Sequence, residues 1–217
     1  MVVNFDMRGL GGRHLGSMML TSERHSVLHS FQEDTMREQL MKIWPEIEWI
    51  EDADLKEKVY KTWEFALEQS VLTPEDLETI PFTLLVKDCK VSFMAHKRAV
   101  VHIAVESAKA MTAFFGDDLP IHMDYLIAGA ILIDVGKLIE YVLEDGKAVV
   151  GRTGKLLRHP VSGVGLAMRF DVPADICHMI STHSKEGDLG KRTTESLIIH
   201  HADFMSFEPF KPETLRV

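Results

Sequence analysis

From Phe31 onward, apolar residues recur at intervals of three and four, the spacing of amphipathic helices. DTMREQLMKIW places Met36, Leu40 and Ile43 on one face, and Pro45 stops it. DADLKEKVYKTWEFALEQS carries an apolar stripe of Leu55, Val59, Trp63, Ala66 and Leu67, with Asp52 or Asp54 available as cap. TPEDLETI offers Thr73 as N-cap and Pro74 at the first helical position, a short helix start. PFTLLVKDCKVS reads as a loop or weak hairpin. A long helix is predicted over 95–115 with a core stripe of Val100, Ile103, Ser107, Ala110 and Met111, and His96 on the same side. Another is predicted over about 122–137. Its last part, AILIDVGKL, is an apolar run interrupted by Asp134 and stopped by a Gly-Lys pair. YVLEDGKAVV reads as a β-hairpin with Asp145-Gly146 as its two-residue turn. HPVSGVGLAMRF, VPADICHMISTH and TTESLIIHHADFMSF complete the pattern as three further helices.

The pattern predicts an all-α protein with one small hairpin. Residues 1–30, Gly-rich and unpatterned, read as a mobile arm, and no function is placed on His14, His25 or His29. Residues 31–94 read as an N-terminal helical extension packing on the core, and 95–217 as the main helical domain. The net charge of -9 argues against a surface that coats nucleic acid. Two cysteines, Cys89 and Cys177, make no disulfide or metal framework. There is no signal-peptide pattern, and the longest apolar run, 125–133, falls far short of the roughly 20 residues of a membrane span. A soluble, cytoplasmic protein is expected. The acidic EIEWIEDAD reads as a solvated linker, and His178 as facing solvent.

Asp134 breaks the apolar pattern. A carboxylate inside an apolar run is costly unless it is paired or bound to a cation. Four other residues that can bind metal stand in or at the ends of predicted helices: His96, His159, His183 and Asp203. Imidazole and carboxylate ligands suit zinc, iron, manganese or magnesium. A divalent ion at the junction of helix ends would offset the cost of Asp134 and Asp203 together. His102 is turned away from the line of His96, while His200 shares the face of Asp203 and can act as an outer partner.

AHKRAVVHIA around His96, AILIDVGKL around Asp134, LLRHPVSG around His159, ISTHSKEG around His183 and IIHHADF around Asp203 stand in a specific order. That order resembles the HD-domain metal-dependent phosphohydrolases, over a little more than half the chain. The resemblance implies an HD-type helical bundle over 95–217. It also implies one or two divalent ions (Mn, Zn, Fe, Mg or Ni) and hydrolysis of a small phosphorylated substrate such as a nucleotide. In it Asp134 bridges the metals and Lys137, with Arg158 or Lys155, meets the phosphate. No membrane or extended nucleic acid is implied. One departure stands out: Ile133 occupies the place of the histidine that precedes the aspartate. The first metal position keeps only His96, Asp134 and Asp203, and is expected to be weak or empty. The second keeps Asp134, His159 and His183 in full. The same resemblance leaves two alternatives, a diiron oxygen-activating enzyme and a degenerate protein with a binding or regulatory role.

Overall fold

A computed structural model describes residues 36–215. The chain divides into two compact units, Met1–Met36 and Arg37–Val217. The first, with the arm expected over 1–30, lies almost wholly outside the described residues. The elements from Arg37 onward belong to the second.

Residues 37–43 are helical, with Leu40 and Ile43 buried. Pro45 then opens a 3-10 helix, Pro45–Trp49. The acidic stretch here is not a solvated linker, because Glu46, Ile47 and Ile50 are buried. Glu46 takes a hydrogen bond from Arg98 Nε at 2.7 Å and pairs with His102 Nε2 at 3.0 Å. That contact occupies His102 away from Asp134.

Helix α1 (Ala53–Glu68) buries all five residues of its predicted stripe. Asp52 caps it, accepting from the amides of Asp54 and Leu55. Helix α2 (Pro74–Leu77) starts in a capping box between Thr73 and Asp76. The segment after it closes through a single bridge, Pro81 to Ser92.

Helix α3 (Phe93–Phe115) begins at Ser92, whose side chain accepts from the Ala95 amide. Its buried face differs from the predicted one. Val100, Val101, Ala104, Val105 and Ala108 are buried, while Ile103, Ser107 and Met111 are half-buried and Ala110 is exposed. Two neighbouring stripes of this helix are apolar, so spacing alone does not choose between them. Packing against helices α4 and α9 does.

Helix α4 (Met123–Leu132) runs through the centre, with Leu126 to Leu132 all buried. It ends earlier than predicted, and 133–136 form a turn. Helix α5 (Lys137–Glu140) comes next, so Lys137 starts a helix instead of ending one. Strands β1 (Tyr141–Glu144) and β2 (Lys147–Val150) pair antiparallel, Tyr141 opposite Val150. Asp145 and Gly146 both have positive φ, 50° and 72°, as the tight hairpin turn requires. A short unpredicted helix α6 (Arg152–Leu156) leads to α7 (His159–Met168), α8 (Ala174–Thr182) and α9 (Thr194–Phe207). Around α4 pack α1, α3, α8 and α9. The fold is all-α with one two-stranded hairpin. Among the described residues, no helix is long and apolar enough to cross a membrane.

Candidate metal centre

The turn after α4 delivers Asp134 to a point where α3, α7, α8 and α9 meet. Ile133 and Val135 on either side are fully buried and anchor it. Gly136 lets α7 come close: a Cβ there would lie 2.2 Å from the His159 carbonyl and 2.6 Å from Ser162 Oγ. Gly136, four residues past the end of α4, thus admits the helix start that carries His159.

All five predicted ligands come together. Asp134, His159 and His183 form one group with ligand atoms within 4.8 Å of one another, and His96, Asp134 and Asp203 form a second. Asp134 belongs to both, and its two oxygens face different partners. Oδ1 lies 3.2 Å from His159 Nε2 and 3.5 Å from His183 Nε2. Oδ2 lies 3.1 Å from Lys97 Nζ and 3.0 Å from Lys137 Nζ.

The Oδ1 side is a set of lone pairs. The other nitrogen of His183, Nδ1, donates to the Ile180 carbonyl at 2.8 Å, which leaves Nε2 without a proton in the neutral ring. His159 Nδ1 faces Glu140 Oε2 at 2.9 Å, and the same oxygen accepts the His159 amide at 2.7 Å. Burial holds the His159 pKa below its ordinary value, against the opposing pull of Glu140, which favours the neutral ring. When both rings are neutral, two imidazole lone pairs and a carboxylate oxygen converge, and among the described residues Asp134 Oδ1 has no hydrogen-bond partner. A cation resolves this arrangement. Ligands bonded at about 2.1 Å and set at the tetrahedral angle stand about 3.4 Å apart, close to the 3.2 and 3.5 Å found. The buried groups could hold a metal ion.

The Oδ2 side is already cationic. Lys97 is fully buried and Lys137 nearly so. Burial resists ionisation of Asp134, but the charges of Lys137 and Lys97 outweigh it and hold the carboxyl well below its usual range. Burial likewise opposes the Lys137 charge, and Asp134 more than compensates, so the ammonium persists. Lys137 also donates to the Phe82 carbonyl at 3.2 Å. His96 Nε2 meets Asp203 Oδ1 at 3.1 Å, its Nδ1 meets Ser206 Oγ at 3.1 Å, and Phe82 stacks on the ring at 4.2 Å. Burial raises the Asp203 pKa, but the His96 hydrogen bond and the Lys97 charge bring it to about 2.

A cavity of about 620 Å³ opens over the two groups. Phe82, Leu85, Val86, Phe204 and Phe207 give it an apolar wall; Arg158, Lys185 and Lys211 line it with Glu186 and Glu213. Arg158 is held by Glu140 and Glu186. Lys155 does not line the cavity. His200 supports the site from outside, donating from Nδ1 to the His183 carbonyl at 2.6 Å. His178 is half-buried, with Nε2 enclosed and unpartnered, instead of facing solvent.

Sequence reasoning missed Lys97 and Glu140. Lys97 sits beside Arg98 and reads as a surface cation. Glu140 carried one usable signal, a lone acid in KLIEYV just before the hairpin. Gly154 of α6 seats against it, where a Cβ would lie 2.4 Å from Glu140 Cγ.

Compared with protein-family models, curated proteins and solved structures, the chain matches none of them.

Proposed function

We propose that this chain is a divalent-metal-dependent hydrolase of phosphoesters, with one ion held by Asp134 Oδ1, His159 Nε2 and His183 Nε2. The observation that carries the reading is the convergence of those three atoms in residues that line the cavity. The order of ligands supports a place among the HD-domain phosphohydrolases.

Charge supports an anionic substrate. The cavity lining carries four acids, Asp134, Glu186, Asp203 and Glu213, and four bases, Lys137, Arg158, Lys185 and Lys211, with Glu140 and Lys97 adding one of each beside them. The site is formally neutral before a metal binds. One divalent ion makes it doubly positive, the complement of a phosphate dianion. When bound, the ion supplies Lewis acidity toward water and the phosphoryl oxygens. The chain supplies the rest. Glu140 and the Ile180 carbonyl fix the two imidazoles in the tautomer that presents Nε2. Lys97 and Lys137 keep Asp134 ionised. Arg158 and Lys185 stand on the wall to receive phosphate oxygens. The phenylalanine wall takes the organic part of the ester, of which a nucleotide base is one fit.

The test is phosphate release from a panel of nucleotides and simple phosphoesters, assayed with manganese, zinc, magnesium, iron and nickel. Release should be abolished by chelator, restored by a divalent ion, and lost in His159→Gln and His183→Gln. Release that survives both substitutions would refute the assignment. No release from protein shown to carry iron would favour oxygen activation, and neither release nor metal would favour a binding role.

A further inference from the structure

We propose that the ammonium of Lys97 is a built-in cation of the His96–Asp134–Asp203 group, and that the chain therefore holds one divalent ion where a dinuclear centre would hold two. The inference rests on the metal-dependent reading only for the group formed by Asp134, His159 and His183.

Three observations carry it. The residue before Asp134 is Ile133, fully buried and unable to ligate. The residue after His96 is Lys97, whose side chain is fully buried. Its Nζ lies 3.1 Å from Asp134 Oδ2, the oxygen turned away from His159 and His183, and has no well-oriented hydrogen-bond partner among the described residues. An ammonium so placed is held by charge, as a metal would be.

The charge count agrees. Two carboxylates, Asp134 and Asp203, face two ammoniums, Lys97 and Lys137. A divalent ion entering between His96 and Asp203 would meet Lys97 with no excess negative charge to bind it. It would also need Lys97 to leave a fully buried position, an expensive move for a charge already paired. Lys137 differs, because it borders the cavity and has the Phe82 carbonyl as a second acceptor. Ile133 and the buried Lys97 thus act together: position 133 offers no ligand, and a fixed organic cation stands where an exchangeable one would sit.

The full-length chain, stripped with chelator, would be titrated with Mn²⁺ by calorimetry. Bound manganese would be counted by plasma mass spectrometry after desalting. Wild type should bind one ion, and His159→Gln none. Ile133→His should still bind one, since the added imidazole leaves the ammonium in place. Lys97→Met combined with Ile133→His should bind two, with circular dichroism reporting whether the variant folds. Two ions in wild type or in Ile133→His would overturn the proposal, and these proteins decide it even if the Lys97 variant does not fold. A folded double variant with an unchanged count would also overturn it. No ion in wild type but one in the double variant would refute the Asp134–His159–His183 assignment and uphold Lys97.

Discussion

Removing Asp134 tests the electrostatic design most directly. By composition alone Asp134→Ala is a mild change, since it deletes a charge from an apolar run. The structure argues the opposite. Asp134 is 1% exposed and is the carboxylate that faces Lys97, which is 0% exposed, at 3.1 Å. Deleting it strands a buried ammonium, and breaking a buried pair from one side costs about 3–5 kcal/mol. Lys97→Met should cost less, about 1–3 kcal/mol, because Asp134 keeps Lys137 at 3.0 Å and methionine fills much of the space. The double variant Asp134→Ala with Lys97→Met leaves no stranded charge at this contact. Lys137 retains the Phe82 carbonyl and access to the cavity. Its cost should therefore fall below the sum of the single costs by about 1–3 kcal/mol, within the range seen for contacting residues. The assay is urea unfolding of all four proteins in chelator at neutral pH, where metal binding makes no contribution. Costs that add to within about 0.5 kcal/mol would show that the pair is not coupled, and the reasoning would fail.

Glu140→Gln should weaken metal binding about 10–100-fold by loosening His159, with little loss of helicity; calorimetric titration checks it, and unchanged affinity would show that Glu140 does not orient the ring. Gly136→Ala should destabilise the fold by about 1–3 kcal/mol and weaken metal binding, because its Cβ collides with the start of α7. By contrast Gly165→Ala, open within 4 Å and helical, should stabilise by up to about 1 kcal/mol in the same unfolding assay. In metal-free protein, burial holds His96 and His159 below the ordinary 6.5, and Asp203 sits at about 2 against an ordinary 3.8. A group whose folded pKa is depressed contributes stability above its unfolded pKa and loses it as pH falls through the folded one. The urea midpoint should therefore drop as pH falls below 6.5 and again below 3.8. A midpoint that stays flat on crossing 6.5 would mean that the two imidazoles are not buried in the neutral form.

Much of this protein is written locally. The stripe of α1 and its cap at Asp52 follow from spacing and side-chain chemistry within a few residues. So does the Asp145-Gly146 turn, since both residues tolerate positive φ. The five candidate ligand residues could be named because each is a polar group set at the end or inside of an apolar helix, a local anomaly for which a cation is one remedy. Other features were decided only when the elements met. Helix α3 is apolar on two adjacent stripes, so its buried face depended on where α4 and α9 lie. Asp134 stands in a turn, because α4 must stop short for α7 to approach Gly136. Glu46 belonged to an acidic stretch until Arg98 and His102, more than fifty residues away, were brought to it. Lys97 is the sharpest case. Beside Arg98 it looks like any exposed cation, and only the crossing of α3 with the turn after α4 buries it against Asp134. Helix periodicity reports which face is apolar, but the partner of a buried charge is a long-range property, fixed by packing between segments distant in the chain.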